Sequence, residues 1–82
     1  MDLPAEVTVI DLRAEALRQL EPLAHPNVIA LTLEQIEDAQ HGMTPQHGPL
    51  LVVCERGNRS ALAAHYLRAD GLDARHWEGK RR

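Results

Sequence analysis

The residues with the clearest chemical content stand together in the second half of the chain, in the run Cys54-Glu55-Arg56-Gly57-Asn58-Arg59-Ser60. Cys54, the only cysteine, follows the apolar stretch LLVV and precedes an alanine-rich segment with helical spacing. A strand that ends at a thiol, a short loop and then a helix form a cup. Gly57 permits unusual backbone angles, so the N–H groups of the loop can turn inward. The start of the helix adds its own unpaired N–H groups and the positive end of its dipole. A thiolate held there is stabilised and becomes a nucleophile near neutral pH. Arg59, at the helix entrance, offers a planar fork for an oxyanion. A helix start is an unfavourable place for a cation, which favours a ligand-binding role for it. Arg56 reads as a rim residue that attracts an anionic substrate, and Glu55 as a rim residue whose negative charge either tunes substrate preference or does nothing. Asn58 or Ser60 caps the helix or donates a hydrogen bond to the sulfur or to a bound anion.

The elements that must position this run follow from periodicity. Residues 7–12 (VTVIDL) are β-branched and apolar and read as a strand covered on both faces. Residues 14–20 carry a short helical stripe limited by Pro22. Residues 27–31 (NVIAL) form a second strand, after the turn-like His25-Pro26-Asn27. Thr32 and Gln35 make a capping-box pattern for a helix over 33–40. Residues 41–49, with two glycines and two prolines, read as a surface loop. Residues 50–53 form a short central strand. The spacing predicts a helix over 60–70, buried through Ala61, Leu62, Tyr66, Leu67 and Ala69, with Gly71 just past its end. Residues 73–77 (DARHW) are a weaker fourth strand.

This order implies an α/β fold: a small, mainly parallel sheet of about four or five strands with helices on both faces. Ligands bind such sheets beyond the carboxyl ends of the strands. Asp11 and Cys54 fall at two of those ends. Asp11 is expected to support the loop or a neighbouring turn by hydrogen bonds, and Arg13 to pair with a nearby acid.

Composition sets the outer bounds. At 82 residues a single domain spanning 1–82 is expected, burying roughly 60–65% of its unfolded surface. The apolar material is aliphatic, with one Trp, one Tyr and no Phe. The net charge of −3 argues against a nucleic-acid partner. The charge is uneven: residues 1–50 hold two Arg against eight acids (−6), and residues 51–82 hold seven Lys and Arg against four acids (+3). The positive half contains Cys54 and suits an anionic ligand. One cysteine excludes an internal disulfide and a Cys-rich zinc site. The histidines at 25, 41, 47, 65 and 76 show no metal-ligand spacing, so no metal is expected. His76 and Trp77 are candidates for the pocket mouth, with core packing the plainer reading for Trp77. The opening MDLPAEVTVI lacks a basic n-region and a long apolar h-region, which speaks against a signal peptide. No apolar run approaches the ~20 residues of a membrane span. A reducing cytoplasm is the expected compartment.

The run CERGNRS resembles the active-site loop of the rhodanese-type sulfurtransferases. The likeness extends to Val9–Arg13 (VIDLR), similar to the family's first-strand Asp-x-Arg signature, and from the strand before Cys54 to the closing strand. Two regions depart from the family pattern. Only His25-Pro26-Asn27-Val28 echoes the family's His-Ile-Pro-Gly-Ala-like segment, and the closing strand runs into Glu78-Gly79-Lys80 where a Gly-Gly is usual. The resemblance implies a persulfide on Cys54, a small anionic sulfur donor such as thiosulfate, and a thiol, cyanide or protein acceptor. Related dual-specificity phosphatases hold phosphate with five residues between Cys and Arg. Here four separate Cys54 from Arg59, which favours sulfur over a tetrahedral phosphate. The alternatives are a dedicated relay or regulatory domain, and a phosphatase or arsenate reductase on the same fold.

Overall fold

The computed structural model describes residues 3–55 and 58–77. The chain runs β1 (Thr8–Asp11), α1 (Glu15–Leu20), β2 (Val28–Ala30), α2 (Leu33–Glu37), a 3₁₀ turn (Pro45–His47), β3 (Leu50–Val53), α3 (Asn58–Ala69) and β4 (Ala74–His76). The four strands form one parallel sheet in the order β2-β1-β3-β4, within the expected range.

Strand order decides where the helices lie. From β1 the chain moves outward to β2, then returns past β1 to β3 and continues in the same direction to β4. With right-handed crossovers, α1 therefore covers one face of the sheet, and α2 and α3 the other. The core sits on the α2/α3 side, where Ile10, Val52, Leu50 and Ala74 alternate inward from the strands to meet Ile36, Ala63, Ala64 and Leu67. Val9 and Val53 project to the opposite face and are also buried, so β1 and β3 are covered on both sides as their apolar runs require.

Local chemistry sets the helix ends. Thr32 accepts the Gln35 amide at 3.1 Å, and the Gln35 side chain accepts the Thr32 amide at 2.8 Å, completing the expected capping box. Both α2 and α3 finish in Schellman turns. At α3, Leu72 N donates to Leu67 O and Gly71 N to Arg68 O, with Gly71 at φ +85°. At α2, Gln40 N donates to Gln35 O and Ala39 N to Ile36 O. The left-handed position there is taken by Ala39, at φ +56°. That turn ends α2 at Glu37, shorter than the expected 33–40 helix.

Two expectations about α3 are corrected. It begins at Asn58 and not at Ser60, so Asn58 and Ser60 are helical and do not precede the helix. Its buried face is Ser60, Ala63, Ala64 and Leu67, while Leu62 is exposed and Ala61 and Tyr66 are half-buried. Small side chains at i, i+3 and i+4 let the helix backbone approach β3 and β4 closely. A hydrophobicity count favours larger residues and so selects the wrong stripe.

Candidate active site

At the carboxyl ends of β1 and β3 the chain leaves in opposite directions, toward α1 and toward α3. This divergence opens a crevice between the two strands, the place where open parallel sheets bind ligands. Asp11 is aligned with Val53 across the strand pair, and Leu12 N continues the pairing to Val53 O at 2.8 Å. Cys54 is the next residue. It is half-buried, packed against the core on one side and facing the crevice on the other.

The Cys54 sulfur accepts the backbone N–H of Ser60 at 3.3 Å. Ser60 is the third residue of α3, so its amide belongs to the first turn, whose N–H groups have no intrahelical acceptor. The sulfur thus lies at the positive end of a twelve-residue helix. Ser60 itself is fully buried against the sheet; what it presents to the sulfur is its main chain. Asn58 and Arg59 are exposed and line the cleft. Arg56 and Gly57 lie outside the described residues.

The cleft holds about 960 Å³ and reaches well beyond the cysteine loop. Its walls include Leu12, Ala14 and Arg18 from the β1–α1 side and Leu31, Leu33 and Gln35 from the β2–α2 side. None of these was singled out as a site residue from the sequence. They reach Cys54 because β1 lies between β2 and β3, an order that no local pattern encodes.

Asp11 does not line this cleft. Its buried carboxylate accepts Arg13 N at 3.0 Å, Arg13 Nε at 3.1 Å and Arg13 Nη2 at 3.2 Å. Arg13 Nη2 also donates to Glu21 O at 2.8 Å, at the far end of α1. Asp11 therefore organises the β1–α1 turn. The cysteine loop joins that turn through a different contact: Glu55 Oε2 accepts the Ala14 N–H at 3.0 Å, across 41 positions of sequence.

The histidines serve other purposes. His25, His41 and His47 each accept a backbone N–H on Nδ1, from Asn27, Met43 and Thr44 respectively, and His41 Nε2 lies 2.9 Å from Asp70 Oδ2. Among the described residues no cluster of His, Cys, Asp or Glu could hold a metal. His76 and Trp77 do not line the cleft. Trp77 N extends the β3–β4 pairing to Val52 O at 2.7 Å, and its indole Nε1 is buried with no hydrogen-bond partner among the described residues. Glu78, Gly79 and the basic tail lie outside the described residues. No described helix is long and apolar enough to cross a membrane.

No protein-family model matches the chain, and no curated protein does. Solved structures do. The chain is 37% identical to a rhodanese homologue from the extremely thermophilic bacterium Thermus thermophilus, with a TM-score of 0.72 over 92% of this chain and 79% of that one. A rhodanese-related protein from Thermoplasma volcanium gives 27% identity and a TM-score of 0.76, covering 90% of this chain and 71% of that one. A human single-domain sulfurtransferase, 20% identical, shares the fold with a TM-score of 0.67, over 93% of this chain and 78% of that one.

Proposed function

The chain belongs to the rhodanese family, and from that premise we propose that it is a thiosulfate sulfurtransferase-type enzyme that moves a sulfane sulfur through a persulfide on Cys54. The observation that carries this reading is the Ser60 amide on the Cys54 sulfur, at the start of α3 and within an open crevice. That contact stabilises a thiolate where a small anion can reach it.

In the first half-reaction the Cys54 thiolate attacks the outer sulfur of thiosulfate. A Cys54–S bond forms, the S–S bond of the donor breaks, and sulfite leaves with the electron pair. Three negative charges enter and three remain, one on the persulfide and two on sulfite. In the second half-reaction cyanide, or a thiolate acceptor, attacks the terminal sulfur, and Cys54 departs as a thiolate. The Ser60 amide and the α3 dipole favour the anionic persulfide as they favour the thiolate. Arg59 and Asn58, which line the cleft, hold the oxyanion end of the donor, and Arg56 and Gly57 of the same sequence run are proposed as further substrate-binding residues. Asp11 acts at one remove, by fixing the β1–α1 wall. This scheme uses no metal or organic cofactor. A lone thiol that must remain reduced suits the cytoplasm, and the 82 residues act as one domain.

The size of the cleft favours a second reading. About 960 Å³ is far more than a small anion fills and leaves room for the thiol-bearing end of a protein, as a dedicated relay would need. A phosphatase reading fares worse. Only four residues separate Cys54 from Arg59, one fewer than the phosphatases of this fold use, which favours a cup smaller than a tetrahedral phosphate needs.

The test is to mix the protein with thiosulfate and weigh it. Addition of one sulfur atom, absent in Cys54→Ser, followed by thiocyanate release with cyanide, supports the transferase. An adduct discharged only by a particular protein supports the relay. No adduct, with phosphate release from an aryl phosphate, refutes both.

A further inference from the structure

We propose that the Glu55 carboxylate is a charge filter on the cysteine cleft, lowering the use of doubly charged sulfur donors relative to singly charged ones. This rests on the sulfur-transfer reading and concerns which donors that site accepts.

Glu55 directly follows Cys54, and both line the cleft. An exposed glutamate is ordinarily free to swing into solvent. This one is anchored, because Oε2 accepts the Ala14 N–H at 3.0 Å. Ala14 is the residue that precedes α1, at φ −58° and ψ 147°, so its N–H points away from the helix ladder and needs an outside acceptor. The contact bridges the two loops that diverge at the crevice and keeps a negative charge at its lip.

The other charges make that one count. Arg13 also lines the cleft, but its guanidinium is neutralised by Asp11, with the two side chains 6% and 3% exposed. Among the described residues, and setting aside the Cys54 thiolate itself, this leaves Arg18 and Arg59 against Glu15 and Glu55 on the walls, two charges of each sign. With Glu55 neutral, the balance becomes positive by one. A site that gains from the charge of thiosulfate alone would not fix a carboxylate next to its nucleophile.

Two donors separate charge from chemistry. Thiosulfate carries two negative charges. The methanethiosulfonate anion presents the same kind of outer sulfur, bonded to a sulfonyl group, with one. In each case the Cys54 thiolate takes the outer sulfur, the donor S–S bond breaks, and sulfite or methanesulfinate leaves with the electron pair. Repulsion from Glu55 scales with donor charge, and one extra unit charge a few ångströms away through water changes an association constant by about fivefold.

The experiment measures kcat/KM for both donors, with cyanide as acceptor, in the wild-type chain and in Glu55→Gln. Glutamine keeps an oxygen for the Ala14 N–H and removes only the charge. The ratio of thiosulfate to methanethiosulfonate efficiency is expected to rise about fivefold in the variant, mainly through KM for thiosulfate. A ratio unmoved by the substitution overturns the proposal, even if both rates fall together, since equal loss is what a purely structural tether gives. If neither donor places sulfur on Cys54 of the wild-type chain, the sulfur-transfer reading falls and the filter with it. Loading by both donors with an unchanged ratio removes the filter alone.

Discussion

Replacing Asp11 with alanine should be among the most damaging single changes in this chain, although Asp11 never touches the cleft. The reason is the group left behind. Arg13 is 8% exposed, and its guanidinium and main-chain N–H rest on the Asp11 carboxylate through contacts of 3.0, 3.1 and 3.2 Å. In Asp11→Ala the buried cation keeps, among the described residues, only the Glu21 carbonyl. Stranding one member of a buried pair costs about 3–5 kcal/mol, although the intact pair itself adds little net stability. A chain of this size has about 4–12 kcal/mol in total, so the loss is a large share of it. Urea unfolding followed by circular dichroism should show that drop, and the thermal midpoint should fall by about 15–30 °C. The double variant Asp11→Leu with Arg13→Met removes both charges and leaves apolar stems, so it should recover about half or more of the loss. An Asp11→Ala cost below about 1 kcal/mol would refute the argument, as would a double variant no more stable than the single one.

Other outcomes follow from the helix ends and the core. Ala39→Gly should stabilise the protein by about 1 kcal/mol in the same unfolding assay, because the left-handed position closing α2 then loses its Cβ strain. Gly71→Ala should cost about as much at the matching position after α3. Leu67→Ala, at a fully buried residue of α3, should cost about 2–5 kcal/mol, whereas Leu20→Glu, at a side chain 78% exposed, should change stability by less than about 0.5 kcal/mol.

What the sequence by itself determined was local. Each strand and helix announced itself through period, capping and punctuation. The Thr32–Gln35 capping box and the Gly71 turn appear as read, because the atoms that satisfy them lie within a few residues of one another. Cys54 at a strand end before a helix was equally legible, and with it the direction of the dipole acting on the sulfur. The weaker readings failed for a physical reason. Ser60, Ala63 and Ala64 form the buried face of α3 because small side chains allow close approach, a demand set by the sheet beneath and not by their own hydrophobicity. Only the tertiary structure decided the walls of the cleft. The placement of β1 between β2 and β3 brings Arg18, Leu31 and Gln35 around Cys54 and lets Glu55 reach Ala14. Strand order is chosen by the burial of the whole sheet between its helices, a free energy shared by many residues that no short run of them carries.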